Sequence, residues 1–237
     1  MKLTTVLCAV NNNPEYYLFV PKQILFWAKF GIKFVTVFVG AAIPTELQGC
    51  DNVILWTQNA DLNPAYVAQN MRIYYPALLD LPDDEAVMIT DMDMLPMSPG
   101  FYKDGLEAFT KQDFVYYRHV DGNQIYMCYN AAHPATWGNV FGVRTEADVA
   151  EKLEANYNKN YNGVPGETGW YTDQLVLYRN LIHYPHLKVL NRPLRRLEMW
   201  NFNGRTDVRH YDDAHFHRSF FDNAHLIAFA EKQLLGA

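Results

Sequence analysis

The sequence predicts an α/β protein with a mostly parallel central sheet flanked by helices. Short runs rich in β-branched and aromatic residues alternate with longer amphipathic segments through the first half of the chain. Of the 237 residues, 49% are hydrophobic, which is enough for a sizeable core. Neither an internal repeat nor a Gly/Ser-rich linker divides the chain, so one domain over residues 1–237 is expected.

The first elements follow from hydrophobic pattern and chain breakers. Thr4–Val10 is a β-rich run and predicts the first strand. Pro14 begins a segment with apolar residues at three- and four-residue spacing, which predicts a single helix ending at Gly31. Lys33–Val39 is apolar on both faces, as a central parallel strand should be, and Val53–Trp56 predicts a shorter strand.

The next unit ends at the most informative part of the chain. Asn63 is a typical N-cap with Pro64 in the first helical position, and the apolar stripe that follows predicts a helix down to Leu79. Ala86–Thr90 then predicts a buried fourth strand. Pro96 and Pro99 end regular structure soon after it.

The second half of the chain is less regular. Thr145 begins a sequence typical of a capping box, and Thr172 is expected to cap a later helix. Between those two helices lies a polar, Gly-rich loop over Tyr157–Gly169. The predicted elements are strands at Phe114–Tyr117 and Asn139–Val143, and helices over Thr145–Asn156, Thr172–Leu181 and Leu226–Leu235.

Charge and cysteine content restrict the partners and the compartment. Twenty Lys and Arg against twenty-six Asp and Glu give a net charge of -6, so nucleic acid is not an expected partner. The three cysteines lack metal-binding spacing, which favours a reducing, cytoplasmic setting. The most membrane-like stretch, Ile24–Ile43, carries Lys29 and Lys33 near its middle, so no membrane span is expected.

Two aspartates directly follow the predicted fourth strand. Asp91 and Asp93 lie two residues apart, so in an extended chain both carboxylates face the same side. The residues around them are apolar, and ligands of open α/β sheets bind where strands end. Oxygen ligands favour Mg²⁺ or Mn²⁺, so this pair predicts a metal site. The alternative is two ordinary turn aspartates that cap a following helix.

Four segments of the chain resemble glycosyltransferases of the GT-A fold, in particular family 8-like members such as glycogenin and bacterial galactosyltransferases. The first two are the helix Asn70–Pro76, with its arginine, and the D-x-D of Asp91-Met92-Asp93. The other two are Thr172-Asp173-Gln174, which resembles a later D-Q motif, and Ala214-His215-Phe216, which resembles a metal-binding H-F. The resemblance implies a single GT-A, Rossmann-like domain.

The resemblance also implies roles for individual residues. Residues 1–95 would form the nucleotide-binding half and residues 96–237 the less regular acceptor-binding half. Asp91 would touch ribose and metal, Asp93 and His215 would complete a Mn²⁺ or Mg²⁺ site, and Trp137–Gly142 would form the strand that lines the sugar. The residues expected around the nucleotide sugar are Val10, Asn11, Asn12, Arg72, Asp91, Met92, His217 and Arg218.

One departure from the family concerns phosphate binding. The family pattern continues after the histidine with Gly-x-x-Lys-Pro-Trp, whereas this chain has Phe216-His217-Arg218-Ser219-Phe220. The lysine is absent, and His217 or Arg218 is the suggested replacement. Besides His215, both His210 and His217 are candidates for the metal-binding histidine.

The expected catalytic residues are Asp173 and Gln174. A carboxylate there could orient the acceptor, stabilise an oxocarbenium-like centre or act as a base, and Glu167 is a second candidate base. The Tyr157–Gly169 loop is a candidate lid that excludes water. The sequence thus predicts metal-dependent transfer of a sugar from a UDP- or GDP-sugar to a glycan or glycoconjugate. A nucleotidyltransferase, a haloacid dehalogenase-type phosphatase and an inactive sugar-binding module are the alternatives.

Overall fold

The computed structural model describes residues 1–57, 61–118, 122–190, 192–217 and 219–236. Its strands are β1 (Lys2–Asn11), β2 (Lys33–Val39), β3 (Val53–Trp56), β4 (Glu85–Ile89), β5 (Met94–Pro96), β6 (Phe114–Tyr116), β7 (Asn130–Ala132), β8 (Leu187–Val189), β9 (Arg196–Glu198) and β10 (Asp213–His215). Its helices are α1 (Pro14–Tyr17), α2 (Val20–Lys29), α3 (Pro64–Tyr74), α4 (Pro99–Lys103), α5 (Pro134–Phe141), α6 (Glu146–Ala155), α7 (Thr172–Leu181) and α8 (Phe220–Leu235).

A seven-stranded sheet forms the centre, in the order β3-β2-β1-β4-β7-β6-β8. The first four strands in this order pair in parallel, whereas β7 runs antiparallel to both β4 and β6. Apolar side chains from α2 and α8 cover one face, and those of α3, α5, α6 and α7 cover the other. The predicted α/β class with a mostly parallel sheet between helices is confirmed.

The local signals in the first half are confirmed with two exceptions. The helix predicted down to Leu79 ends at Tyr74, and a 3-10 turn over Tyr75–Leu78 follows it. Asn63 caps α3, because its side chain accepts a hydrogen bond of 2.9 Å from the Ala65 amide. The single helix predicted from Pro14 to Gly31 is wrong, since the chain forms α1 and α2 in sequence. Pro21 has no N–H to donate to the Tyr17 carbonyl, and this removes the hydrogen bond that would join the two helices.

The strand predicted at Asn139–Val143 is wrong, because this segment belongs to α5 and the turn after it. The His133 side chain accepts a hydrogen bond of 3.1 Å from the Ala135 amide, and Pro134 fits the first helical turn. Gly142 ends the helix at a φ of 65°. The strand lies earlier, at β7, and the expectation that Trp137–Gly142 lines a sugar as a strand is therefore also wrong.

The remaining predictions for the second half differ in detail. The capping box at Thr145 is present, and α6 ends at Ala155. Thr172 is the first residue of α7 rather than its cap, and its hydroxyl donates to the Gly169 carbonyl at 2.7 Å. The last helix begins at Phe220, six residues before the predicted start, because the Ser219 side chain caps it.

A second, three-stranded sheet has the order β5-β10-β9. Strand β10 pairs in parallel with β9, so that Asp213 lies opposite Arg196 and His215 lies opposite Glu198. It pairs antiparallel with β5, which places His215 opposite Met94. The small sheet therefore brings the C-terminal part of the chain to the residues that follow the two predicted metal-binding aspartates.

Burial determines the state of two of the three cysteines. All three are free thiols, and Cys8 and Cys128 are buried. Burial raises the pKa of Cys8 to about 12 and that of Cys128 to about 11, so both thiols are protonated at neutral pH.

As for membrane spans, none of the helices in the described ranges combines the length and apolar character that crossing a bilayer requires.

Candidate active site

A cavity of about 970 Å³ opens where β1 and β4 end. Its size is at the upper end of the range for ligand pockets. Ten of the residues predicted for the site line it: Val10, Asn11, Arg72, Asp91, Met92, Asp93, Asp173, Gln174, His215 and His217. Asn12 is exposed and lies outside this lining, whereas its neighbour Asn13 is part of it. Arg218 is outside the described residues.

The two aspartates lie on a turn rather than on an extended strand. The Met94 amide donates to the Asp91 carbonyl at 3.4 Å, and β4 has already ended at Ile89. The buried side chain of Gln23 fixes the turn, because its amide nitrogen donates to the carbonyls of Met92 at 2.7 Å and Met94 at 2.9 Å. Both carboxylates still face one cavity, as predicted.

Arg72 links two of the predicted site carboxylates. It projects from α3 and is only 11% exposed. One of its terminal nitrogens donates to Asp91 Oδ1, and the other donates to Asp173 Oδ2 at 2.8 Å. Asp173 lies in the first turn of α7 and is 3% exposed. Arg72 therefore pairs with both Asp91 and Asp173, and the second of these ion pairs links α3 to α7 at the cavity.

The pKa values of the two carboxylates paired with Arg72 shift in opposite directions. At Asp91 burial favours the protonated acid, but the charge and hydrogen bond of Arg72 outweigh it and lower the pKa. At Asp173 burial dominates over the same guanidinium and raises the pKa. Asp91 is therefore the one held as a stable anion, and Asp173 is the one better suited to exchange a proton.

His215 stands between two carboxylates at the other side of the turn. Its Nε2 lies 3.6 Å from Asp93 Oδ2, and its Nδ1 lies 3.2 Å from Glu198 Oε2. His217 Nε2 also contacts Glu198 Oε2, at 2.9 Å. Burial disfavours the imidazolium of His215, but the hydrogen bond and charge of Asp93 prevail and raise its pKa.

These residues fit a divalent cation. Ligand atoms around one octahedral ion at about 2.1 Å lie about 3 to 4 Å apart, and the Asp93 and His215 atoms have this separation. One ligand atom each from Glu198, His215 and His217 also lies within 4.8 Å of the others. Carboxylate and imidazole donors suit Mn²⁺.

A second ion pair supports the far wall of the cavity. Arg196 is held by Asp213, with its Nε 2.9 Å from Oδ1 and a terminal nitrogen 2.6 Å from Oδ2. The Tyr129 hydroxyl donates to the same Asp213 carboxylate at 2.7 Å. Asp213 is fully buried, so this network fixes β9 against β10 and thereby Glu198 against His215.

The aromatic residues divide between the cavity and the core. Tyr126 and Trp170 line the cavity, whereas Tyr117, Tyr129 and Trp137 are buried in the core. From the loop over residues 157–169, Tyr161, Gly163 and Pro165 line the cavity, and the Tyr161 hydroxyl donates to Gln69 Oε1 at 2.8 Å. Glu167 is exposed and outside the lining.

Sequence reasoning missed Glu198, which contacts His215 and His217, and the cavity residues Arg196 and Arg118. A signal for the first two exists, because Arg196-Leu197-Glu198 and Asp213-Ala214-His215 both alternate charged and apolar residues with the two-residue period of a strand. Opposite charges at matching positions predict pairing of the two segments. Arg118 follows the predicted strand at Phe114–Tyr117, where strand ends meet the cavity.

Comparisons with solved structures find glycosyltransferases. The galactosyltransferase LgtC, in complex with donor and acceptor sugar analogs, has 11% identity over 90% of this chain and 87% of that chain, with a TM-score of 0.48. A glycosyltransferase involved in the glycosylation of the major capsid of PBCV-1 has 11% identity over 95% of this chain and 99% of that chain, with a TM-score of 0.48.

A further similar structure is the glycosyltransferase GlyE of Streptococcus pneumoniae TIGR4, at 14% identity over 80% of this chain and 45% of that chain, with a TM-score of 0.46. No protein-family model and no curated protein sequence matches the chain. All three structures are named as glycosyltransferases. At such identities and TM-scores they assign neither a substrate nor a residue role to this chain.

Proposed function

We propose that this chain is a metal-dependent glycosyltransferase. It would move a sugar from a nucleoside diphosphate sugar, with uracil or guanine as base, to a hydroxyl group of a glycan or glycoconjugate. The observation that supports this most is the cavity at the strand ends, where Asp93 and His215 approach to 3.6 Å beside Asp91. Such a cluster suits a cation that holds a diphosphate.

The ligand set would consist of Asp91, Asp93 and His215, with Mn²⁺ or Mg²⁺ as the ion. When bound, the ion would supply charge neutralisation to the diphosphate and so make it a better leaving group. Arg72 donates to Asp91 Oδ1 and so already neutralises part of the charge of this carboxylate. Val10 and Asn11 end β1 on the neighbouring side, where the base and ribose would lie.

Asp173 and Gln174 would act near the transferred sugar. The Asp173 carboxylate is buried, it lines the cavity and its pKa is raised, and Arg72 holds its orientation at 2.8 Å. These properties suit a group that orients the acceptor, stabilises positive charge at the anomeric carbon or accepts a proton. Glu167 is the less supported candidate base, since its side chain is hydrogen-bonded to Asn162 on the exposed loop.

The test measures release of nucleotide from a panel of UDP- and GDP-sugars with Mn²⁺, and again with chelator. We expect release with at least one donor, its rate increased by a hydroxyl acceptor and abolished by chelation. Proton NMR of the product's anomeric centre would then distinguish retention from inversion.

Other outcomes separate the alternative functions. Phosphate release from simple phosphomonoesters would support a phosphatase, and pyrophosphate release from a nucleoside triphosphate would support a nucleotidyltransferase. Binding of nucleotide sugar without turnover would support a sugar-binding module. Any of these results, in place of transfer, would overturn the proposal.

A further inference from the structure

The strand order places Arg118 on a definite side of the metal-binding turn. Strands β4 and β6 both pair antiparallel with β7, so they run parallel to each other and end at the same edge. Arg118 follows β6 by two residues, as Asp91 follows β4. Since the order is β1-β4-β7-β6, the turn lies between Asn11 on one side and Arg118 on the other.

This order divides the cavity into two sides. A nucleotide over the end of β1, with its diphosphate at the turn, leaves the region over β7 and β6 for the sugar rings. Tyr126, Met127 and Cys128 line this sugar side together with Arg118. Arg118 therefore lies on the side of the turn away from the end of β1, where the sugar rings would lie.

The three arginines of the cavity differ in their partners. Arg72 is paired with Asp91 and Asp173, and Arg196 is paired with Asp213. For Arg118, by contrast, no carboxylate of the described residues lies within ion-pair distance; a terminal nitrogen contacts Cys128 Sγ at 3.2 Å instead.

Arg118 is also oriented. Its guanidinium carbon lies 4.3 Å from the centroid of the Tyr126 ring, a distance typical of a cation–π contact. Such a contact fixes the plane of the guanidinium while leaving donors free for a planar anion. A terminal nitrogen of Arg196 also lies 3.8 Å from Cys128 Sγ, but Asp213 balances the charge of Arg196. Arg118 would therefore meet a ligand as a single guanidinium, which a single carboxylate matches in both charge and geometry.

We propose that Arg118 binds the carboxylate of an acidic saccharide, either the transferred sugar or the acceptor, on the sugar side of the cavity. This inference rests on the proposed function, because it uses the diphosphate position which that function implies. The inference extends the proposed function by naming the substrate class. Arg118 would donate two parallel hydrogen bonds to the carboxylate, and Tyr126 would support the guanidinium from behind.

The experiment compares ligands that differ only in a carboxylate. Calorimetry with Mn²⁺ measures the affinity for two donor pairs, UDP-glucose with UDP-glucuronate and GDP-mannose with GDP-mannuronate. Saturation-transfer NMR on the complex with UDP or GDP compares methyl glucoside with methyl glucuronide, which tests the acceptor. The donor arm and the acceptor arm thus identify which ring carries the acid.

We expect one acidic member to bind more tightly than its neutral partner, and Arg118→Gln to reduce that preference by about 10- to 100-fold, the range for hydrogen bonds to charged groups. Arg118→Lys should keep part of the preference for the acidic ligand, because lysine retains the positive charge but lacks the planar pair of donors of the guanidinium. Arg144→Gln is the matched control, since Arg144 is exposed and outside the cavity lining. The preference of Arg144→Gln for the acidic ligand should equal that of the wild type.

Two results would overturn this inference but not the proposed function. One is neutral-sugar transfer or binding with no acid preference in either arm. The other is an Arg118→Gln variant whose affinity for free UDP or GDP falls as far as its affinity for the acid, since this would assign Arg118 to the diphosphate. If neither UDP nor GDP binds the wild type with Mn²⁺, the proposed function fails, and the inference fails with it.

Discussion

In the seven-stranded sheet, β1, β2 and β4 bury nearly all of their side chains, whereas the three-stranded sheet carries charged side chains on β9 and β10. Apolar contacts hold the first sheet, whereas in the second the buried ion pair of Arg196 and Asp213 adds to the apolar contacts of Leu95, Leu197 and Ala214. Burial of apolar faces specifies the register of the large sheet, and in the small sheet the geometry of the ion pair also selects one register. The ion pair between β9 and β10 therefore fixes the positions of His215 and Glu198 relative to each other.

The comparison predicts different consequences for two similarly destabilising substitutions. Phe34→Ala, in β2 and away from the cavity, should lower the free energy of unfolding by about 3–5 kcal/mol. Asp213→Asn should cost about 3–5 kcal/mol as well, because it leaves Arg196 with an uncompensated charge. Only Asp213→Asn should also weaken Mn²⁺ binding by the folded protein. Denaturant unfolding and Mn²⁺ titration measure the two effects, and equal metal affinity in both variants would contradict the prediction.

The next largest effect is expected at Asp93. Asp93→Asn removes a carboxylate from the proposed metal site, so metal-dependent turnover should fall at least about 100-fold, while the fold is retained because the side chain lies on a turn at the cavity. Circular dichroism and the nucleotide-release assay measure fold and turnover. Asp51→Asn is the exposed control. A wild-type rate, or an unfolded variant, would count against the assignment.

A smaller effect is expected at Glu198, the residue that sequence reasoning missed. Its carboxylate lies 3.2 Å from His215 Nδ1, where it would keep Nε2 directed at the cation. Glu198→Gln should therefore weaken Mn²⁺ binding by about 10- to 100-fold, less than Asp93→Asn does. Electron paramagnetic resonance of bound Mn²⁺ measures the affinity. If Glu198→Gln weakens binding more than Asp93→Asn does, Glu198 is itself a principal ligand.

The sequence predicted most of the large sheet because its signals are local. Asn63 with Pro64 and the capping box at Thr145 each act within one helical turn, and both are present. The same kind of signal was available but overlooked at His133, Pro134 and Gly142, which explains the wrong strand at Asn139–Val143. Here the apolar residues of a short helix were mistaken for a buried strand.

The candidate site could be predicted only in part. Asp91 and Asp93 stand next to each other in the sequence, and one buried strand is enough to locate them. Glu198 and Arg118 become site residues only through the pairing of distant segments, which no local pattern specifies. The link from Arg72 to Asp173 likewise depends on two helices that meet in the folded chain.

The position of His215 on the last strand has a consequence for biosynthesis. A ribosome adds Asp91 and Asp93 before His215, so a nascent chain that has not reached β10 possesses only part of the proposed coordination sphere. Cation loading would then be a late event that follows translation of β10. The proposed cation would then bind chains that already contain folded β10 in preference to shorter ones.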